Sequence, residues 1–201
     1  KGPDPLSTLL LSHPSCLLHE TPEGHPERPD RIRMLDKRDS GVAIYLAGDD
    51  SRLYLGTLGR GVMWLTSATG VFSPSQDPQH IPQVVTALVG DPKDVNTLVL
   101  ATGGQGVLKS TDGGAHWQSA SVGLDYPFLL TLTRDPSRPQ VLYAGTTGQG
   151  VYVSLDNAQT WSAMNTGLFN QNVTALVLDQ QSPPALLVGT EGGGAYRHDA
   201  P

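Results

Sequence analysis

The sequence predicts an all-β fold of about four repeated, four-stranded antiparallel units, and three observations carry that prediction. First, text recurs at a fixed spacing: Gly106 and Gly150 lie 44 residues apart, as do Trp117 and Trp161. Second, each copy alternates short apolar runs with Gly or Asp-Pro turns, the pattern of hairpins. Third, the 201 residues hold 23 Gly and 16 Pro with 16% charged residues, a turn-rich composition in which long helices are scarce. A period of this size means stacked blades or a solenoid, and one unit is too small to bury a core alone, so units must pack on units.

Residues 1–41 differ from the rest, holding three of the six His and six of the thirteen Lys and Arg. They read as an irregular N-terminal arm with a boundary near Ser40-Gly41. Within it, Leu17 to Pro29 is rich in Pro and His, and Pro29 to Leu35 allows a short helix with Pro near its first turn. Leu9-Leu10-Leu11, soon followed by His13-Pro14, is too short for a secretory apolar region, and no apolar run approaches a membrane span.

The units are expected at about 42–83, 84–126, 127–171 and 172–201, since Gly56-Thr57, Ala101-Thr102, Gly145-Thr146 and Gly189-Thr190 align at steps of 45, 44 and 44. First strands are predicted at Val42–Leu46, Val84–Val89, Phe128–Thr133 and Val173–Leu178. Turns marked by Asp91-Pro92 and Asp135-Pro136 follow, with Asp179 and Pro183-Pro184 in the fourth unit. Second strands cover Leu53–Leu55, Thr97–Ala101, Val141–Ala144 and Leu186–Val188. Third strands open at Gly61, Gly106, Gly150 and Gly194, and fourth strands are expected around or after Trp117 and Trp161. Four short antiparallel strands per period suit a β-propeller blade better than a helical repeat.

Two stretches carry a motif of the form Ser-x-Asp-x-Gly-x-x-Trp: Ser110, Asp112, Gly114 and Trp117, then Ser154, Asp156 and Trp161, with Ala158 in the Gly position. This resembles the Asp-box, or BNR repeat, of sialidase-like propellers. Its logic is local: a carboxylate accepts turn N–H groups, Gly or Asn supplies positive φ, and Trp buries a large face between strands. The first unit keeps an aromatic but neither the Ser nor the Asp across Leu65–Phe72, and the fourth stops at His198-Asp199 before a box. Asp112 and Asp156 also invite reading as a glycosidase acid pair or as calcium ligands. Because they repeat at the blade period, they are expected on successive blades in equivalent turns, in a structural role.

The repeat is also similar to propellers of the photosystem II stability and assembly factor type, the sortilin type and the xyloglucanase-like glycoside hydrolases, over about residues 42–201. The first and second groups bind proteins or peptides; the third hydrolyses glucans with acids placed between two propellers. Separately, residues 13–35, through His19-Glu20-Thr21-Pro22-Glu23-Gly24-His25-Pro26-Glu27-Arg28-Pro29-Asp30-Arg31-Ile32, resemble the opening of the histone deacetylase and acetoin-utilisation deacetylase family. In that family the zinc ligands and paired His come from later motifs, which do not follow here, so no activity is carried over. The segment reads as a relic, a fusion joint, a docking arm or a chance Pro-rich loop.

Other sites find little support. His13, His19 and His25 recur at six-residue spacing, which suits no metal site on a helix or strand. Gly103 to Ser110 approaches a phosphate loop, but Leu108 stands where Gly precedes the Lys and no helix opens there. Gly192-Gly193-Gly194 reads as a hairpin turn, and no Gly-x-Ser-x-Gly elbow occurs. Arg52, Arg60, Arg134, Arg138 and Arg197 are scattered and read mostly as solvated turn residues. Cys16 stands alone, against a disulfide framework or a multi-thiolate site. No catalytic, cofactor-binding or metal residues are therefore assigned, and no cofactor is expected.

The net charge of −6 argues against nucleic acid as the main partner. The expectation is a non-catalytic binding or scaffold module, an accessory subunit of a larger assembly. A protein partner or self-association is expected, a glycan is possible, and there is no membrane span. The alternatives are a fragment of a carbohydrate-active Asp-box enzyme, or a deacetylase-family remnant without catalytic residues. A fourth unit without a final strand needs its edge covered. A partner suits this better than Leu6–Ser12, whose apolar run Leu9-Leu10-Leu11 has no polar face.

Overall fold

The computed structural model describes residues 41–46, 52–66, 72–75, 84–179 and 184–199. The expected arm, its helix at Pro29–Leu35, the deacetylase-like text and the Leu6–Ser12 edge segment lie outside them. The described residues form four antiparallel sheets and no helix, so none is available to cross a membrane. The first sheet is β1 (Gly41–Leu46), β2 (Arg52–Thr57), β3 (Val62–Thr66) and β4 (Phe72–Pro74). The second is β5 (Val85–Asp91), β6 (Asp94–Thr102), β7 (Val107–Ser110) and β8 (Gln118–Ser119). The third is β9 (Leu129–Arg134), β10 (Leu142–Thr146), β11 (Val151–Ser154) and β12 (Ser162–Ala163). The fourth has β13 (Val173–Leu178), β14 (Ala185–Thr190) and β15 (Gly194–Asp199). Strand order within every sheet follows the sequence, the meander of a propeller blade.

One local device sets the register of every blade. At the β2–β3, β6–β7, β10–β11 and β14–β15 turns a Thr hydroxyl donates to the carbonyl of the Gly four residues on: Thr57 to Gly61 (2.9 Å), Thr102 to Gly106 (2.8 Å), Thr146 to Gly150 (2.9 Å) and Thr190 to Gly194 (3.0 Å). In the first three, the same hydroxyl accepts the N–H of Arg60, Gln105 or Gln149. Each closing Gly has positive φ, between 70° and 80°, a conformation that costs Gly little and other residues more. Thr and Gly at this spacing therefore fix where one strand ends and the next begins.

Blades pack face to face through their inner strands, β1 on β5, β5 on β9 and β9 on β13. No packing of that extent joins β13 to β1, so the described blades form an open series. Three apolar seams result. Tyr54 and Val62 of blade 1 meet Leu98, Leu100, Leu108 and Trp117 of blade 2. Val99, Ala101, Val107 and Ala120 of blade 2 meet Leu142, Tyr152, Ala158 and Trp161 of blade 3. Val141, Tyr143 and Val151 of blade 3 meet Leu176, Leu186 and Val188 of blade 4.

Trp117 and Trp161 are buried, at 1% and 3% exposure, and each lies just before the outermost strand of its blade. Truncating either to Ala should cost about 3–5 kcal/mol, the usual range for a buried Trp. Urea unfolding of the two variants checks this, and a cost under 1 kcal/mol would contradict the packing.

Candidate functional site

The two Ser-x-Asp turns sit between the third and fourth strands of blades 2 and 3 and share one hydrogen-bond plan. Ser110 Oγ donates to Asp112 Oδ1 (2.8 Å) and accepts the Gly114 N–H (2.9 Å). Ser154 Oγ does the same with Asp156 Oδ1 (2.8 Å) and the Ala158 N–H (2.9 Å). The carboxylates then close the far side of the turn: Asp112 Oδ1 accepts the His116 N–H (2.9 Å), and Asp156 Oδ1 accepts the Gln159 and Thr160 N–H groups (both 2.9 Å). Asp112 and Asp156 are thus each engaged within their own turn, on successive blades.

Two left-handed residues follow each Asp: Gly113 and Gly114 (φ 71° and 84°), and Asn157 and Ala158 (φ 59° and 63°). Ala158 occupies a position where Gly is favoured, and the facing residue explains why it fits. A methyl built on Gly114 would lie 3.3 Å from the Tyr54 ring of blade 1. Facing Ala158 at the position equivalent to Tyr54 is Val99, which leaves the methyl room in the core. The left-handed backbone costs about 1 kcal/mol, and burying the methyl recovers about 0.8 kcal/mol.

Burial works to raise the Asp112 pKa, but the His116 backbone N–H, the imidazole 2.6 Å away and the Ser110 hydroxyl outweigh it and bring the carboxyl down to about 2. Asp156 is lowered in the same manner: burial opposes, and the Thr160 hydroxyl and N–H, Ser154 and the Gln159 N–H prevail. Both acids are anionic acceptors near neutrality. A cleft of about 270 Å³ borders the Asp112–His116 pair, with Lys109, Thr111, Gln118 and Gln159 in its wall. Among the described residues no group of three His, Cys, Asp or Glu is placed to hold a metal ion. His13, His19 and His25 lie outside the described residues, while Gly103–Gly106 and Gly192–Gly194 are hairpin turns followed by strands.

Arg134 corrects the reading of the arginines as solvated turn residues. Its side chain is 5% exposed and donates to the Pro139 carbonyl, to Asn157 Oδ1 (3.0 Å) and to Asp91 Oδ2 (3.4 Å) across the blade 2–3 seam. Asn157 Nδ2 also reaches Asp91 Oδ2 (3.4 Å), and Lys109 Nζ donates to the Asn157 carbonyl (2.8 Å). Burial, together with the positive charge of Arg134, holds the Lys109 pKa below its usual value, while Asp91 and Asp156 oppose. Arg52 is half-buried, with its guanidinium 5.5 Å above the Trp64 ring.

The opposite end of the blades is built differently. In blades 2 and 3 the hairpin tip bonds both to the connection entering its own blade and to the connection leaving it. In blade 2, Gly103 N–H donates to Val84 O and Gly106 N–H to Pro127 O. In blade 3, Thr147 N–H donates to Phe128 O and Gly150 N–H to Gln171 O. This end bears the exposed aromatics Phe128, in a tilted pair 5.4 Å from the half-buried Tyr126, and Phe169, at 93% exposure. Sequence reading did not single them out, because a connection residue reveals its exposure only once the hairpins on both sides are in place.

No family model and no curated protein matches the chain. Solved structures do. A GH74 enzyme from Niastella koreensis aligns at 22% identity with a TM-score of 0.61, covering 80% of this chain and 29% of that one. The GH74 xyloglucanase from Xanthomonas campestris aligns at 18% identity and 0.63, covering 79% and 29%. The computationally designed Ika4 protein aligns at 14% and 0.62, covering 83% and 94%. The chain thus spans less than a third of the two glycoside hydrolases. At these identities the likeness is one of fold: the molecule is an all-β, propeller-type protein.

Ser110 is 1% exposed, whereas the Asp112 side chain is 43% exposed. Ser110→Ala strands the buried Gly114 N–H and should cost about 1–3 kcal/mol, while Asp112→Ala, whose N–H partners reach water, should cost about 1 kcal/mol. Equilibrium unfolding of the two variants tests the order. The depressed Asp112 pKa stabilises the fold above the unfolded value near 4, and that contribution is lost as pH falls through about 2. Unfolding free energies measured from pH 5 to pH 2 should therefore fall less steeply for Asp112→Asn than for the parent.

Proposed function

We propose that this chain is a non-catalytic binding propeller, an accessory subunit of a larger assembly, with Ser110–Trp117 and Ser154–Trp161 as structural Asp-box turns. One observation carries the reading. The two recurring carboxylates are both occupied by hydrogen bonds within their own turns, at the end of the blades opposite the exposed Phe128 and Phe169. An acid pair for glycoside hydrolysis must flank one bond, with the carboxyl groups about 5–10 Å apart and free to exchange protons. Carboxylates bonded in separate, successive turns do not offer that. Exposed aromatics on a rigid end face suit a protein partner, because they supply large contact area at low conformational cost.

The second reading is a fragment of a carbohydrate-active enzyme, favoured by the fold likeness to GH74 enzymes. A hydrolysis screen on xyloglucan and linear β-glucan oligosaccharides separates the two. The expected result is no release of reducing ends, and turnover abolished by changing one acidic residue overturns the binding reading. The isolated chain should also sediment as more than a monomer at micromolar concentration, and a compact monomer contradicts the accessory-subunit role.

A further inference from the structure

The cleft beside the Asp112–His116 pair holds more chemistry than the turn beneath it requires. In blade 3 the same turn is closed by Thr160, whose N–H donates to Asp156 Oδ1 and whose hydroxyl donates to Asp156 Oδ2. Blade 2 has His116 at that position, with its N–H on Asp112 Oδ1 (2.9 Å) and its Nδ1 2.6 Å from Asp112 Oδ2. A hydroxyl therefore meets the structural need, and the imidazole is an addition to it. The His116 side chain is 70% exposed, so it serves no core.

Lys109 is the second addition. It lies on β7 in the wall of the same cleft, paired across the ladder with Gln118 of β8, at the position that Val153 holds in blade 3. Its side chain is half-buried, and Nζ donates to the Asn157 carbonyl of blade 3 (2.8 Å). Burial and the nearby Arg134 charge favour the unprotonated amine, against the pull of Asp91 and Asp156. An amine held partly out of water in a cleft is a nucleophile, the setting of Lys residues that form Schiff bases with carbonyl compounds. The rest of the wall is largely polar, from Thr111, Gln118, Ser119 and Gln159, with the buried Ala120 and Ala158 adding an apolar portion. At about 270 Å³ the cleft falls below the roughly 300–1,000 Å³ of sites for drug-sized ligands, so its guest is a small molecule.

We propose that this cleft captures small hydroxylated aldehydes, with Lys109 Nζ forming an imine and the His116 ring moving the protons. Unprotonated Nζ adds to the carbonyl carbon, while the carbonyl oxygen takes the π electron pair and a proton from the His116 ring. The ring then removes a proton from the new ammonium nitrogen and passes it to the hydroxyl. Water leaves as the nitrogen lone pair closes the C=N bond. The product is a protonated imine, whose remaining N–H keeps the Asn157 carbonyl occupied. Asp112 holds the ring in place and faces its charge. Thr111, Gln118 and Gln159 supply hydrogen-bonding groups for hydroxyls on the guest. An aldehyde suits the cleft because imine formation is governed by proton transfers, which a paired imidazole and carboxylate supply. This is covalent capture without turnover; it goes beyond the binding role proposed above and does not rest on it.

The probe is glyceraldehyde with sodium cyanoborohydride, incubated with the full chain near neutral pH and read by peptide mapping in a mass spectrometer. Reduction of the imine leaves a secondary amine of known mass on the residue that reacted. Lys93, exposed in the β5–β6 turn, is the internal control. Lys109 is expected to label at least tenfold faster than Lys93, at a rate that saturates with glyceraldehyde. His116→Thr, which installs the residue that closes the turn in blade 3, should slow Lys109 several-fold while leaving Lys93 and the thermal midpoint unchanged. Lys109 labelling no faster than Lys93 overturns the proposal. So does a rate that rises without saturation, or one indifferent to His116→Thr. None of these outcomes alters the hydrolysis or sedimentation results, so the two readings fail separately.

Discussion

The interaction on which the rest depends is an indole wedged between consecutive blades, its N–H returned to the blade before. Trp117 and Trp161 do this at two seams, with acceptors at Ser75 and Ala120. Burying an indole removes roughly 150–250 Å² from water, worth about 4–6 kcal/mol before entropy is counted, whereas the hydrogen bond adds about 1 kcal/mol. Area supplies the energy and the bond supplies the position. The Ser-x-Asp turn follows from this need. A ring wedged at a seam must arrive from a turn of fixed shape, and the Ser hydroxyl and the Asp carboxylate hold that shape from its two sides.

This arrangement also explains why the outermost strands of blades 2 and 3 are two residues long. Gln118–Ser119 and Ser162–Ala163 are exposed and contribute little apolar burial. They continue a chain already anchored by the preceding Trp, so they need little pairing of their own. The charged group at the second seam, Asp91 with Arg134 and Asn157, adds a polar lock at the box end, away from the exposed aromatics. A buried ion pair of this kind is a weak source of net stability; what it adds is a set of directed polar contacts between the two blades.

Much of the architecture was legible because it is written in local devices. The Thr-to-Gly turn is a five-residue text, and its four copies set the blade count and the strand boundaries. The Trp positions announced the fourth strands of blades 2 and 3. What escaped was whatever depends on a neighbour 40 or more residues away. Arg134 looks like a turn residue until Asp91, 43 residues earlier, is brought beside it. Tyr54 looks like an ordinary strand residue until the next blade shows what a hydroxyl at that position reaches. Phe128 and Phe169 follow the same rule in reverse, since packing leaves them uncovered.

The wedges all point one way. Trp117 of blade 2 rests on blade 1, and Trp161 of blade 3 rests on blade 2, so both of these blades clasp their predecessors. A chain emerging from the ribosome makes the receiving face before it makes the wedge. Each new blade therefore condenses on a finished template, and in this array assembly is vectorial. Disassembly runs in the opposite sense. Opening blade 4 unseats neither Trp117 nor Trp161, whereas opening blade 1 strips Trp117 of its seat. Amide exchange would then record stronger protection in the strands that flank the two buried indoles than in those that flank none, the behaviour of a one-dimensional stack held by nearest-neighbour contacts.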